Sequence, residues 1–457
     1  MKKLGIYVQV PFCQTKCTYC NFHTGVVAGA RFAPYVEAVC REIREHRLML
    51  KVAGVDWPVR LGRSSAAHLQ GNSKMPREGD EWPVSEGEPY ADPTLDLDTV
   101  YMGGGTPSLL GPAHIQEILH EIRNAFGMDG PGRLGRSNAT SQTEKGTIPS
   151  EVGEWPASEG GRYKGELVEV TLEADPETVD AEKAEAWVRA GINRVSFGVQ
   201  SFSDKELAAA GRMHRRADIY RAAPILREAG IRNISFDLIA GLPHQTKESW
   251  RRSLEELVGL EPEHVSVYLL EVDEGSRLGK ELLQGGGRYS AGAVPSDDEM
   301  AESYELAQEM LGAAGYRQYE ISNWAKPGFE SKHNLKYWRR EPYLGFGAGA
   351  HSFSGTERWA NAHDAAAYVK AIESGRLPVG QHEVLTIKKA LEEELFLGLR
   401  QLEGIDVGRI EREYEVAVAG RFDPLVLAGL MERDGSVVRL APNRLAISNE
   451  AFVALME

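Results

Sequence analysis

The sequence predicts an α/β fold: a partial (β/α)6 barrel followed by a small C-terminal α+β domain. Three observations carry that prediction. Stretches rich in β-formers alternate with helical stretches six times over about 280 residues, which gives parallel strands covered by helices. The turns that carry distinctive residues follow the β-rich stretches, where barrels place their active sites. From 381 onward the pattern shortens to small amphipathic helices and two strand-like pieces.

The first strand is read at Gly5-Ile6-Tyr7-Val8-Gln9-Val10. A helix follows from about Arg31 to Lys51, because Val36, Val39, Cys40, Ile43 and Leu50 recur at helical spacing. Cys40 lies on that apolar stripe and is read as a core residue. Further strands are expected at Thr99–Met102, Leu167–Leu172, Arg194–Gln200, Ile234–Ile239 and His264–Leu270. Helices are expected at Pro112–Phe126, from Asp180, and at Asp297–Ala314. Gly345-Phe-Gly-Ala-Gly-Ala-His351 reads as a loop. In the C-terminal part, helices at Lys388–Arg400, Asp406–Tyr414 and Phe422–Met431 precede strands at Ser436–Leu440 and Arg444–Ile447, similar in outline to a winged helix. We divide the chain into a barrel (1–280), a connecting region (281–380) and this C-terminal domain (381–457).

The chain has 457 residues, 42% of them apolar, and a net charge of −15. Such a balance argues against a nucleic-acid or anionic-membrane surface, which needs a basic patch. No apolar run approaches the roughly 20 residues that cross a bilayer. Met1-Lys2-Lys3 looks like the start of a leader, but Gln9 and Pro11 break the apolar run, so a first strand is expected there. Four cysteines without evident pairing fit the reducing cytoplasm.

Three of those cysteines form one short loop, Cys13-Gln-Thr-Lys-Cys17-Thr-Tyr-Cys20. Thiolates at this spacing can hold three irons of a cubane cluster and leave the fourth iron open to a small molecule. Structural zinc would need a second pair of ligands, and no other cysteine pair exists. After the second strand, Gly103-Gly104-Gly105-Thr106 removes Cβ atoms and lets backbone approach a ligand. Glu173 and Asp237 end strands, as does Gln200. Standing alone, acidic groups there are equally well solvated strand ends.

The cysteine loop, with aromatic Tyr19 before its last cysteine, resembles the signature of the radical S-adenosylmethionine (SAM) superfamily. The resemblance implies a 4Fe-4S cluster on Cys13, Cys17 and Cys20. It implies that SAM chelates the open iron and is cleaved to a 5′-deoxyadenosyl radical. Tyr7, Glu173-Ala-Asp-Pro, Gly198-Val-Gln200, Gly211-Arg212 and Phe236-Asp237-Leu-Ile-Ala-Gly-Leu-Pro243 resemble the SAM-contacting segments of the oxygen-independent coproporphyrinogen oxidase branch. The resemblance thereby implies SAM contacts for Tyr7, Tyr19, Gly104, Gly105, Thr106, Glu173, Gln200, Arg212 and Asp237. It covers nearly the whole chain outside two insertions.

Within that branch the decarboxylase carries a fourth cysteine and an N-terminal extension. Phe22 stands at the fourth position here. The chain is more similar to the heme chaperone subgroup, whose H-N-x-x-Y-W motif matches His333-Asn334-Leu-Lys-Tyr337-Trp338. The subgroup implies heme as cargo, with His333, Tyr337 and Trp338 as candidate heme residues. It further implies heme-accepting proteins and a reduced flavodoxin- or ferredoxin-type electron donor as partners, and leaves room for a homodimer. His333 also has an ordinary reading as a hydrogen-bonded histidine, with Tyr337 and Trp338 as core. The competing activity is oxidative decarboxylation of coproporphyrinogen III.

Two polar, aperiodic stretches interrupt the barrel, 56–95 and 129–165. They repeat one another: at a constant offset of 73, 15 of 31 positions from Arg60 to Tyr90 are identical, including Trp82 and Trp155. Each lies between a helix and the next strand, on the face opposite the active site. We read them as duplicated surface insertions. Limited proteolysis is expected to cut both stretches early; protection of both would instead indicate a packed lobe anchored by Trp82 and Trp155.

Overall fold

The computed structural model describes residues 2–22, 24–26, 29–52, 95–126, 168–376 and 378–456. The expectations for the repeated stretches, Trp82 and Trp155 included, lie outside these residues, Leu95 excepted. The six expected strands are β1 (Lys2–Val10), β2 (Leu95–Gly104), β3 (Glu169–Ala174), β4 (Arg194–Gln200), β5 (Asn233–Ala240) and β6 (His264–Leu269). They are followed by β7 (Arg317–Glu320), β8 (Asn323–Ala325), β9 (Tyr343–Phe346), β10 (His351–Phe353), β11 (Glu357–Asn361) and β12 (Val379–Val384). All twelve join one sheet in the order β12-β11-β10-β9-β1-β2-β3-β4-β5-β6-β8-β7.

Pairing is parallel from β9 through β1 to β6 and antiparallel beyond either end. The parallel run thus has a seventh strand, β9, in the segment expected to be a loop. Gly345 is what permits it: a Cβ there would come within 2.1 Å of the His351 carbonyl on β10. The glycines that suggest a loop are needed for two strands to approach closely.

Helices α1 (Phe32–Val52), α2 (Pro112–Phe126), α3 (Ala181–Ala190), α4 (Arg216–Ala229), α5 (Lys247–Gly259) and α6 (Asp297–Ala313) cover the outer face of the sheet. Strand periodicity divides the residues between the two faces. On β1, Leu4, Ile6, Val8 and Val10 are buried in the same core as Tyr35, Val36, Val39 and Cys40 of α1. Gly5, Tyr7 and Gln9 point inward. Cys40 is fully buried, as its place on the apolar stripe suggests.

Local chemistry sets the helix ends. Asp180 accepts from the Lys183 N–H at the start of α3, and Gly191 closes that helix at φ 101°. Ser296 and Glu299 cap α6 reciprocally.

One further helix matters for the site. α7 (Lys332–Trp338) is opened by Ser331, whose hydroxyl accepts from the Asn334 N–H. It touches β2. The C-terminal part contains α8 (Ile387–Gly398), α9 (Val407–Tyr414) and a three-stranded sheet. There the expected strand Arg444–Ile447 is a 3-10 turn behind Pro442, and the hairpin partner of Val437–Leu440 is Met431–Asp434. The expected helix Phe422–Met431 ends at Leu427.

A buried carboxyl ties α1 to the far side of the sheet. Glu42 accepts from Tyr368, Asn361 and the Gly347 N–H at 2.6, 2.6 and 2.8 Å. Burial pushes its pKa up to about 7. A carboxyl raised this way binds more protons folded than unfolded between about 4.5 and 7, so its contribution to stability is lost as pH rises through that window. Urea unfolding should therefore show lower stability at pH 8 than at pH 6, and Glu42→Gln should narrow that difference. An unchanged difference would remove Glu42 as a source.

Candidate functional site

The C-terminal ends of β1 to β6 and β9 share one face of the sheet, and the cysteine loop follows β1 onto that face. Backbone bonds fasten the loop. Thr18 N–H donates to the Ala210 carbonyl at 2.9 Å, and the Leu278 N–H donates to Thr18 O at 2.8 Å. The Asn21 amide donates to Asp273 at 3.0 Å. Tyr19 packs on the small cluster that includes Ala210, Ile239, Leu242 and Leu278. Cys13, Cys17 and Cys20 are free thiols, partly exposed. Burial pushes the thiols of Cys13 and Cys20 up.

The glycine turn leans on this loop. The Gly105 N–H donates to Val10 O at 2.8 Å, and the Thr106 N–H donates to Phe12 O at 2.7 Å. A Cβ on Gly105 would sit 2.5 Å from Phe12 O. Gly104 adopts φ 106°, and its N–H donates to Glu173 Oε2 at 3.0 Å. The other carboxylate oxygen, Oε1, accepts from Tyr101 at 2.9 Å. Burial pushes the Glu173 carboxyl up to about 7.

Next to it, Asp175 binds the Thr106 hydroxyl at 3.1 Å and pairs with the Arg212 guanidinium. Arg212 also donates to Gly198 O at 2.8 Å and to Cys17 Sγ at 3.5 Å. Asp175, with the neighbouring Tyr19 and Cys17, holds the Arg212 cation well above its ordinary pKa. Gln200 adopts φ 64°, and its buried Oε1 lacks a hydrogen-bond partner.

Tyr7 lies on the inward face of β1 and donates to Gln9 at 2.8 Å. Asp237 is a correction to the sequence reading. It sits in the middle of β5, three residues before the strand end, bonded to Ser196 and Ser235 at 3.3–3.4 Å. Gly104, Gly105, Thr106, Glu173, Gln200 and Arg212 thus gather next to the cysteine loop, with Tyr7 and Asp237 deeper on the same inner face.

His333 meets the deep end of this group, stacking on Tyr7 and Tyr101, and carries Tyr337 and Trp338 on the same helix. The α7 backbone reaches Glu169 at the start of β3. His333 is 1% exposed, and its ring nitrogens bind Thr99 Oγ1 and the Tyr337 hydroxyl, each at 2.9 Å. One helical turn separates Tyr337 from His333 and puts both on the same side of α7. Burial lowers the His333 pKa to about 3, so the imidazole is neutral. Lys336, equally buried, is held between Asp98 and Glu341. Trp338 stacks under Arg400 at 4.5 Å. α7 closes the N-terminal side of the inner face, away from the cysteine loop.

Sequence reasoning missed Asp175 and Tyr101. Both were within reach: Asp175 stands two residues after Glu173, and Tyr101 shares the inward parity of Thr99 and Gly103.

The donor set fits a cubane. Among the described residues no three His, Cys, Asp or Glu side chains are gathered around one point. Three cysteines that each take a separate iron need no such gathering. A cradle without Cβ atoms and an orphaned Gln200 oxygen beside the loop fit a polar ligand.

The radical SAM superfamily matches residues 90–257, and the HemN C-terminal domain matches 385–451. The heme chaperone HemW of Bacillus subtilis is 31% identical over 455 residues, covering 98% of this chain and 98% of its own. The heme chaperone HemW of Lactococcus lactis is 27% identical over 455 residues, covering 99% and 97%. The solved coproporphyrinogen III oxidase (HemN) of Escherichia coli matches 99% of this chain and 90% of its own with a TM-score of 0.72 at 19% identity, a likeness of fold. Superfamily membership implies a 4Fe-4S cluster and SAM. With a relative above 30% identity matched from end to end, the chain belongs to the HemW family within the radical SAM superfamily.

Proposed function

We propose that this protein is a cytoplasmic heme chaperone that binds a 4Fe-4S cluster, SAM and heme, and delivers heme to acceptors such as respiratory enzymes. The observation that carries the reading is the end-to-end likeness to relatives named heme chaperone HemW. Cys13, Cys17 and Cys20 would each hold one iron. When bound and reduced, the cluster supplies an electron to the SAM sulfonium, drawn from a flavodoxin- or ferredoxin-type donor.

The protein's own residues position and shield SAM. Gly104 and Gly105 offer backbone carbonyls to its methionyl end, with Thr106 seating the turn against the cysteine loop. Arg212 offers its guanidinium to the carboxylate, and is itself held by Asp175. Glu173 and Asp237 accept from amino and ribose hydroxyl groups, and Gln200 has an oxygen free to accept. Tyr7 and Tyr19 flank the space with rings that limit water.

The heme residues would be His333, Tyr337 and Trp338. Iron ligation by His333 requires it to give up Thr99 or Tyr337, because both ring nitrogens are engaged. Heme binding there therefore requires one of these buried bonds to break and the ring, 1% exposed, to become accessible.

Oxidative decarboxylation is the alternative. Phe22, 65% exposed, occupies the position at which the decarboxylase branch carries its fourth cysteine. With the cluster reconstituted under anaerobic conditions, SAM and a reductant added, we expect no turnover of coproporphyrinogen III by chromatography. Steady conversion over many turnovers would make the protein a decarboxylase. Replacing Cys17 with Ala should abolish the visible absorbance of the reconstituted cluster. In a heme titration, His333→Ala should weaken binding by about tenfold or more; wild-type affinity in that variant would place heme elsewhere.

A further inference from the structure

Beneath Glu173 lies a cluster of rings in which Tyr101 has no role in the SAM-binding reading. Tyr101 stacks on His333 with centroids 5.1 Å apart and planes at 25°. Tyr7 stacks against both, 6.0 Å from Tyr101 and 6.2 Å from His333. His333 is fixed by Thr99 and Tyr337, and Tyr337 stands edge-on to Tyr343 of β9 at 4.8 Å. The cluster reaches from the floor helix α7 to the Tyr101 hydroxyl, which donates to Glu173 Oε1.

The Glu173 carboxylate needs such a hold. Asp237 and Asp175 both oppose its charge. Its other oxygen takes a single backbone N–H, that of Gly104. Gly103 leaves the room for this arrangement: a Cβ there would lie 2.9 Å from the Glu173 carboxyl carbon and 2.9 Å from the Tyr101 ring. The carboxylate is therefore clamped between one peptide and one phenol. The phenol cannot swing freely, because its ring packs against both Tyr7 and His333, which also touch each other.

We propose that Tyr101 is a positioning residue of the SAM site: its hydroxyl aims the Glu173 carboxylate at the ligand, and its ring is held for that task by His333 and Tyr7. This deepens the reading above and rests on it. Tyr101 itself touches Glu173 and not the reacting atoms, so it acts through Glu173. The floor helix that carries the candidate heme residues thereby bears on the SAM site through direct ring contact.

The test is a double-mutant cycle on full-length, cluster-reconstituted protein. SAM affinity is read by calorimetry and by the change SAM produces in the EPR spectrum of the reduced cluster. Tyr101→Phe removes the hydroxyl and keeps the stacked ring. It should weaken SAM binding by about tenfold, the loss expected for one hydrogen bond to a charged acceptor, with heme affinity unchanged and the fold retained by circular dichroism. E173Q should weaken binding too. Adding Tyr101→Phe to E173Q should cost little more, because the hydroxyl then has no carboxylate to aim.

Wild-type SAM affinity in Tyr101→Phe, or losses that simply add in the double variant, would overturn the positioning role while leaving the SAM site in place. Absence of any SAM effect in the wild-type protein would overturn both the role and the reading it rests on.

Discussion

The contact on which the site depends joins the ends of β1 and β2. Two backbone bonds, Gly105 N–H to Val10 O and Thr106 N–H to Phe12 O, bring the glycine turn against the start of the cysteine loop. They form only because Gly105 lacks a Cβ, which would fall 2.5 Å from Phe12 O. Once the turn is seated, the Gly104 N–H reaches Glu173, Thr106 reaches Asp175, and Asp175 holds Arg212 against Cys17. One close backbone approach thus sets the relation between the thiols and every polar group around them.

The sheet solves two problems with one alternation. Its outward residues build the core with the helices. Its inward residues, on a parallel sheet that would ordinarily be apolar on both faces, are tyrosines, acids, serines and histidines. Placing such groups inside is costly unless each finds a partner. The floor helix supplies many of those partners: His333 for Thr99, Lys336 for Asp98, and the backbone of α7 for Glu169. A motif associated with heme is also, in this conformation, the closure of the barrel. Heme bound by His333 would have to replace one of the two bonds of its ring, a specific structural cost of the proposed chaperone role.

Much of this was legible in the sequence, for physical reasons that can be named. Strands such as Arg194–Gln200 stand out because their β-branched and aromatic residues alternate, and Pro112–Phe126 stands out because its apolar residues recur at helical spacing. The cysteine spacing fixed the site at the end of β1. What was not legible depended on distant contacts. β9 was hidden because Gly345 serves a neighbouring strand, which a linear reading takes for a loop signal. Asp237 was placed at a strand end because its register with Ser266 is set by β6. The helix at His333 depended on Ser331, whose capping role is a three-dimensional fact. Arg444–Ile447 has strand-like composition, but Pro442 opens a 3-10 turn there.

Delivery of heme is the central claim, and transfer tests it most directly. The protein would be loaded with heme, separated from excess, and mixed with the apo form of a heme-requiring respiratory protein, with the Soret band of each partner followed after separation. The account predicts that heme leaves the chaperone and appears in the acceptor faster than from free heme at the same concentration. Heme that fails to load, or that stays on the protein while the acceptor remains empty, would contradict it.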